Sequence, residues 1–185
     1  GSTTQTLAGG DAAHAFFTSP QVGTAIPTRV WVLGDSGTAD QNARAVRDAY
    51  YTYTGATRTN LWLMLGDNAY DQGLDTEFQP AVFDMYPTTL RNKFLWPTIG
   101  NHETGQSTTI TDFPYLHIFS LPTAGEAGGV PSGTEKYYSF DYGNIHFICL
   151  DSMTASRATN GAMFTCLTYD LANVTADWTI AFWHH

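Results

Sequence analysis

The sequence predicts an α/β domain built on a largely parallel sheet with helices packed against it. Three observations carry this expectation. Short apolar runs that read as buried strands recur along the chain, a stretch with helical spacing follows each of the first two, and three runs end at a glycine followed at once by Asp or Asn. At 185 residues, 43% hydrophobic, 14% aromatic and only 14% charged, the chain has the length and composition of one folded domain with a real core.

Residues 1–27 are rich in Thr, Gly, Ala and Pro, with one short alternating piece, His14-Ala15-Phe16-Phe17-Thr18. They read as a strand and a linker ahead of a domain spanning 28–185. The run Arg29-Val30-Trp31-Val32-Leu33 is a short buried strand ending at Gly34, and residues 39–53 then carry Ala, Val and Tyr at helical spacing. The order repeats with Leu61-Trp62-Leu63-Met64-Leu65, a loop over 66–75 and a helix over 77–90, after which a third strand over 94–99 ends at Gly100. Residues 103–135 break into Thr, Gly, Ser and Pro around one aromatic island, Phe113-Pro114-Tyr115-Leu116-His117-Ile118-Phe119, and form a long surface excursion of the kind that tends to carry function. Runs over 136–142 and 144–150 make a β-hairpin about Gly143. A helix over 164–174 leads to a last strand over 178–183, and the chain ends at His184-His185.

The net charge of −9, with only eight Lys and Arg residues, argues against nucleic acid as a main partner and against an anionic membrane surface, since both need basic clusters. No apolar run is long enough to span a membrane. Cys149 lies in the apolar run His146-Phe147-Ile148-Cys149-Leu150 and reads as a buried small hydrophobe. Together with Cys166 it fixes neither redox compartment nor pairing, so a disulfide between them stays open.

The chemistry gathers at strand ends. Asp35, Asp67 and Asn101 each follow a glycine that ends a strand, and His184 follows a fourth strand. In an open α/β sheet the carboxyl ends of parallel strands share one edge, where ligands bind, and a chain turning sharply beside a ligand needs the permissive backbone of glycine. Carboxylate oxygen, amide oxygen and imidazole nitrogen form a set that suits Fe, Zn or Mn better than Ca. A pair of ions about 3.5–4 Å apart can share a bridging carboxylate, acidify a water and clamp the attacking and leaving oxygens of a phosphoryl displacement. Taken singly each residue has an ordinary reading: Gly-Asp after a strand is a turn or helix cap, His102 an exposed loop histidine, Tyr70 a half-buried aromatic. Their joint occurrence, in order and each after an apolar strand, is what points to a site.

The segments Leu33-Gly34-Asp35-Ser36-Gly37, Leu65-Gly66-Asp67-Asn68-Ala69-Tyr70, Gly100-Asn101-His102-Glu103 and Ile180-Ala181-Phe182-Trp183-His184 resemble the first four motifs of calcineurin-like metallophosphoesterases, best in the purple acid phosphatase branch. The hairpin Tyr138-Ser139-Phe140-Asp141-Tyr142-Gly143-Asn144-Ile145-His146-Phe147 is similar to the strand pair that follows the third motif. The resemblance covers about residues 28–185 and implies an αββα sandwich. Here the sandwich is expected to be partial, lacking the C-terminal part of its second sheet, because the chain stops before the family's closing Gly-His-x-His motif, which gives one histidine to each metal. Carried over, Asp35 binds the first metal, Asp67 bridges both, Tyr70 binds the first as tyrosinate, and Asn101 and His184 bind the second. His102 is implied to act outside the metal shell, donating a proton to the leaving oxygen or holding the phosphate. Many relatives have Asp-x-His in the first motif; Gly37 stands at that position here, and Tyr70 compensates.

A phenolate favours Fe³⁺, so the resemblance implies two metal ions, Fe³⁺ with a divalent Zn, Fe or Mn, and the colour of the purple enzymes. The implied activity is hydrolysis of phosphate monoesters by attack of a hydroxide activated at the metal pair. An acidic chain acting on such anions needs the sign reversal that bound cations supply. The alternative is a truncated or non-catalytic module of the same fold that binds metal or a phospho-ligand. In secreted members a fibronectin-like module often precedes the catalytic domain, and residues 15–20 resemble its last strand and linker, which implies secretion although no signal peptide is visible. An incomplete sandwich would expose strand edges through which copies could associate.

Overall fold

The computed structural model describes residues 9, 11 and 14–185. Of the proposed N-terminal module remnant, residues 1–8, 10, 12 and 13 therefore lie outside the described residues. Residues 15–20 pair with no strand, so the strand expected over 14–18 is not formed. Two aromatic contacts hold the segment instead: Phe16 packs edge-on against Phe94 with centroids 5.8 Å apart, and the Arg58 guanidinium lies 3.7 Å over the Phe17 ring.

The first half builds a parallel sheet. Strand β1 (Val30–Leu33) leads to helix α1 (Gln41–Thr54), then come β2 (Leu61–Met64) and β3 (Phe94–Pro97), in the spatial order β1-β2-β3. The start of α1 is capped by Asp40, whose carboxylate accepts the Ala43 N–H at 2.9 Å, and Gly55, at φ +52°, ends the helix. The helix expected over 77–90 is broken into α2 (Asp75–Phe78), a π-helical turn (Gln79–Phe83) and α3 (Pro87–Leu90). Pro80 and Pro87 explain the breaks, since neither has an N–H for a continuous ladder. The pieces still bury one face, through Phe78, Ala81, Val82, Met85 and Tyr86.

Within the excursion a short helix, α4 (Tyr115–Ile118), forms from the aromatic island. The second half builds another sheet, β4 (Tyr138–Tyr142), β5 (Ile145–Cys149) and β6 (Trp178–Phe182), with α5 (Ala162–Asn173) between the last two. Strands β4 and β5 are antiparallel about a two-residue turn, Gly143-Asn144, in which Gly143 takes φ +60°; β5 and β6 are parallel.

Period-two alternation sorts the side chains into layers. On the outer face of the first sheet Trp31 stacks on Tyr50 of α1 at 4.0 Å and on Trp62 at 5.2 Å, with Tyr86 edge-on to Trp62 at 4.8 Å. On its inner face Trp96 stacks on Phe140 of the second sheet at 3.7 Å, and Phe140 on Phe147 at 4.8 Å. Tyr115 and Tyr138 both donate to the Pro97 carbonyl, at 2.9 and 2.6 Å, tying the end of β3 to the facing layer. On the far side α5 docks through Asp170, 3.1 Å from Nε2 of the buried His146, whose Nδ1 meets Asp141 at 2.7 Å. The order of layers is thus helix, sheet, sheet, helix. Val32 on β1 and Trp178 and Ile180 on β6 remain exposed. Both cysteines are free, Cys149 buried and Cys166 half-buried. Among the described residues no helix is long and apolar enough to cross a membrane.

Candidate metal centre

The parallel register places the ends of β1, β2 and β3 on one edge, and the loops that leave them interlock. Asp35 donates its N–H to the Gly66 carbonyl at 3.1 Å, and Gly37 donates to the Asp67 carbonyl at 3.0 Å. Asp35 and Asp67 both adopt left-handed backbone, at φ +53° and +52°, a conformation that costs a non-glycine residue energy and collects at functional sites. A Cβ on Gly37 would lie 2.6 Å from the Asn68 carbonyl carbon and 2.7 Å from the Ala69 Cα. The backbone of 68–69 therefore fills the space that a histidine side chain at position 37 would need.

All six residues singled out in the sequence come together. Tyr70 Oη donates toward Asp67 Oδ2 at 3.0 Å and Asp35 Oδ1 at 3.3 Å. His184 Nε2 lies 3.1 Å from Asn101 Oδ1 and 3.5 Å from Asp67 Oδ1. Among the described residues, ligand atoms of Asp35, Asp67 and His184 lie within 4.8 Å of one another, close enough to hold a metal ion. His102 donates its backbone N–H to Asp67 Oδ1 at 3.0 Å, while its ring Nε2 stands 3.9 Å from Asp67 Oδ2. Asp35 is exposed and Asp67 only 4% exposed, so the cluster opens to solvent on one side.

The donor set fits a cation for a specific reason. The Leu65 carbonyl, 2.7 Å from His184 Nδ1, can only accept, which keeps the proton on Nδ1 and leaves Nε2 a bare lone pair in the neutral ring. That lone pair faces the Asn101 and Asp67 oxygens, themselves acceptors. An inward ring of acceptors is repulsive when empty and attractive around a positive ion. Tyr70 shows the same electrostatics: burial, then the charges of Asp67 and Asp35, hold its phenol well above the usual range. For His102, burial alone would lower the pKa, but the Asp71 carbonyl and the charges of Asp67, Asp71 and Glu103 outweigh it and the net shift is upward.

Two residues outside the six hold the cluster's loops and ring in place. Glu103 is 1% exposed, and its carboxylate accepts the backbone N–H groups of Asp67 at 2.9 Å, Asn68 at 2.5 Å and Gly100 at 2.6 Å. It staples the second ligand loop to the third. Burial pushes its pKa up against the pull of those three donors, and the Asp67 charge adds to the rise. The signal was present as the last residue of Gly100-Asn101-His102-Glu103, since tight loops at strand ends need an acceptor for their unpaired N–H groups. The other is Asp71, whose carbonyl oxygen lies 2.6 Å from His102 Nδ1; a main-chain acceptor leaves no mark in a sequence. The remaining histidines stay apart. His117 is exposed and paired with Asp112 at 2.7 Å, His146 is held beneath α5, and His185 is exposed beside His184 with its N–H on Ser152 Oγ.

The family model described as calcineurin-like phosphoesterase matches residues 28–185. Purple acid phosphatase 23 of Arabidopsis thaliana is 36% identical over 89 residues, 46% of this chain and 18% of that protein. In fold, the chain is similar to the purple acid phosphatase PPD1 from yellow lupin (Lupinus luteus) seeds, with a TM-score of 0.67 at 18% identity, over 88% of this chain and 31% of that one. The chain thus spans about a third of the length of that structure and less of the curated relative.

Proposed function

The chain belongs to the calcineurin-like phosphoesterase family, in its purple acid phosphatase-like branch, and on that premise we propose that it hydrolyses phosphate monoesters at a two-metal site. The observation that carries the proposal is the convergence of Asp35, Asp67, Tyr70, Asn101 and His184 on one sheet edge with their metal-capable side-chain atoms turned toward each other. In this reading Asp35 and Tyr70 would hold one ion and Asn101 and His184 the other, with Asp67, whose two oxygens face the two groups, available to both. Fe³⁺ paired with a divalent Zn, Fe or Mn would acidify a water and neutralise charge developing on the phosphoryl oxygens.

The protein groups supply orientation and a proton. His102 is tied through Nδ1 to Asp71, so Nε2 is the nitrogen turned toward the Asp67 side of the site. In its protonated form it presents Nε2–H to a phosphate oxygen or to the departing alkoxide. With Asp35, Asp67, Asp71 and Glu103 all acidic, a phosphate approaches only after cations have reversed the local sign.

The test is metal analysis of the purified chain together with turnover of a chromogenic aryl phosphomonoester and the matching diester after loading with Fe³⁺ and Zn²⁺. Metal-dependent turnover favouring the monoester is expected. Asp67→Asn should lose metal and at least about 100-fold in kcat. Metal content and turnover unchanged in Asp67→Asn would sink the site assignment, and a metal-loaded chain inert toward every phosphate ester would sink the activity.

A further inference from the structure

The candidate centre leaves open what holds His102 in register, because its ring is anchored by a loop with no regular structure. Its Nδ1 lies 2.6 Å from the Asp71 carbonyl oxygen and 3.1 Å from Asp71 Oδ1. Residues 71–74 belong to neither helix nor strand. A single side chain gathers them: the Glu77 carboxylate, in the first turn of α2, accepts the backbone N–H of Asp71 at 2.6 Å, of Gln72 at 3.0 Å and of Leu74 at 2.8 Å. The loop is also pressed against the histidine's own backbone. A Cβ on Gly73, which takes φ +62°, would lie 2.5 Å from the Glu103 Cα and 2.8 Å from the His102 carbonyl oxygen. With Tyr70 packed edge-on to the ring at 4.5 Å, the Asp71 carbonyl can meet Nδ1 only while the loop keeps this shape.

We infer that Glu77 is a positioning residue that acts through the Asp71 carbonyl to fix which nitrogen His102 turns to the substrate. The inference rests on the proposed phosphomonoesterase reading and adds a residue outside every segment that carries the family resemblance. The logic is stereochemical. A carbonyl only accepts, so a carbonyl held against Nδ1 keeps a hydrogen there and reserves Nε2 for the site. Glu77 touches neither His102 nor any proposed metal ligand. Its three bonds all go to one loop, and charge-assisted bonds of this kind are about twice as strong as neutral ones. Removing the carboxylate frees three N–H groups and lets the Asp71 carbonyl rotate away, after which the ring can turn or exchange tautomers.

Two measurements on the full chain test this, with Glu77→Ala as the main variant and Glu77→Gln, which keeps one acceptor oxygen, as the milder one. Glu126→Ala is the control, since Glu126 caps the Thr123 and Ala124 N–H groups of a different loop. In the metal-free protein, nitrogen-edited NMR should show a slowly exchanging, downfield Nδ1–H resonance for His102, assigned by its loss in His102→Ala. That resonance should weaken in Glu77→Gln, vanish in Glu77→Ala and persist in Glu126→Ala. In the metal-loaded protein, Glu77→Ala should keep its metal content and KM but lose about 10–100-fold in kcat, more for an alkyl phosphate with a poor leaving group than for an aryl one. An unchanged His102 resonance in Glu77→Ala overturns the inference, as does a loss of metal parallel to the loss of rate. If the wild-type protein turns over no phosphomonoester, the proposed function fails, and the resonance alone then decides whether Glu77 positions His102.

Discussion

Gly66→Ala is the sharpest probe of how the second ligand loop and His184 are fitted together. Gly66 takes φ +86°, and a Cβ there would lie 2.7 Å from His184 Nδ1 and 2.8 Å from both the Cα and the N of Gly100. Ordinary contact needs about 3.5 Å, so roughly 0.8 Å of movement is required on two sides at once, and His184 can supply it only by giving up its bond to the Leu65 carbonyl. Left-handed backbone with a side chain costs about 1–2 kcal/mol, and overpacking a tight site about 1–3 more. The total is about 2–5 kcal/mol. Gly133→Ala separates the two parts, because Gly133 sits at φ +70° with nothing within 4 Å of its would-be Cβ and should lose only the backbone share. The assay is urea unfolding of both variants without metal, followed by titration with Zn²⁺. Gly66→Ala should be the less stable by at least about 1 kcal/mol and should alone show weakened metal binding, by about tenfold or more. Equal losses in the two variants, or full metal affinity in Gly66→Ala, would refute the claim that this glycine exists to let His184 and Gly100 close on the loop.

Glu103→Ala should be among the most damaging single changes in the chain. It leaves the N–H groups of Asp67, Asn68 and Gly100 without their acceptor in a buried site, at about 1–3 kcal/mol each where water cannot replace it, and differential scanning calorimetry of the metal-free protein should record the loss. Tyr70→Phe should keep the fold and still bind a divalent ion, while the visible band expected of an Fe³⁺-loaded protein disappears; a band that survives would remove Tyr70 from the iron. The thiols should differ in reactivity. Burial pushes the Cys149 thiol up to about 12, so it should resist alkylation at pH 8 until the protein unfolds, whereas the half-buried Cys166 should be labelled slowly in the native state. Mass spectrometry showing one adduct under native conditions and two in denaturant is the expected result.

Much of this architecture is local and therefore legible in the sequence. The runs around Trp31, Trp62 and Trp96 announced three strands because short apolar runs bounded by turn residues are what a packed parallel sheet needs, although only the central strand is buried on both faces, and Gly143 announced the hairpin because the turn needs φ > 0. The helix over 77–90 failed for an equally local reason, two prolines whose effect on the ladder outweighed the apolar spacing. What could not be read is made of main-chain atoms and of pairings distant in sequence. That Asn68 and Gly100 share one carboxylate, that Leu65 offers its carbonyl to a histidine 119 residues later, and that Asp71 offers its own to His102 are properties of how strand ends approach each other. No residue type encodes them.

The division has a chemical consequence. The side chains that the motifs identify are nearly all acceptors, and by themselves Asp35, Asp67, Asn101 and the bare Nε2 of His184 would repel one another. They are held within reach by bonds that run the other way, in which main-chain N–H groups give to Glu103 and the His184 ring N–H gives to the Leu65 carbonyl, while Glu77 and the Asp71 carbonyl hold His102 beside them in the same manner. The two buried or half-buried glutamates therefore add negative charge to a region already rich in it, and the backbone dipoles that satisfy them do not neutralise that charge. The scaffold is thus arranged to stay assembled while its net field remains attractive to cations. Variants of Glu77 and Glu103 should accordingly separate assembly from attraction: losing Glu77 misplaces His102 without changing the ligand ring, whereas losing Glu103 loosens the ring and weakens the field together.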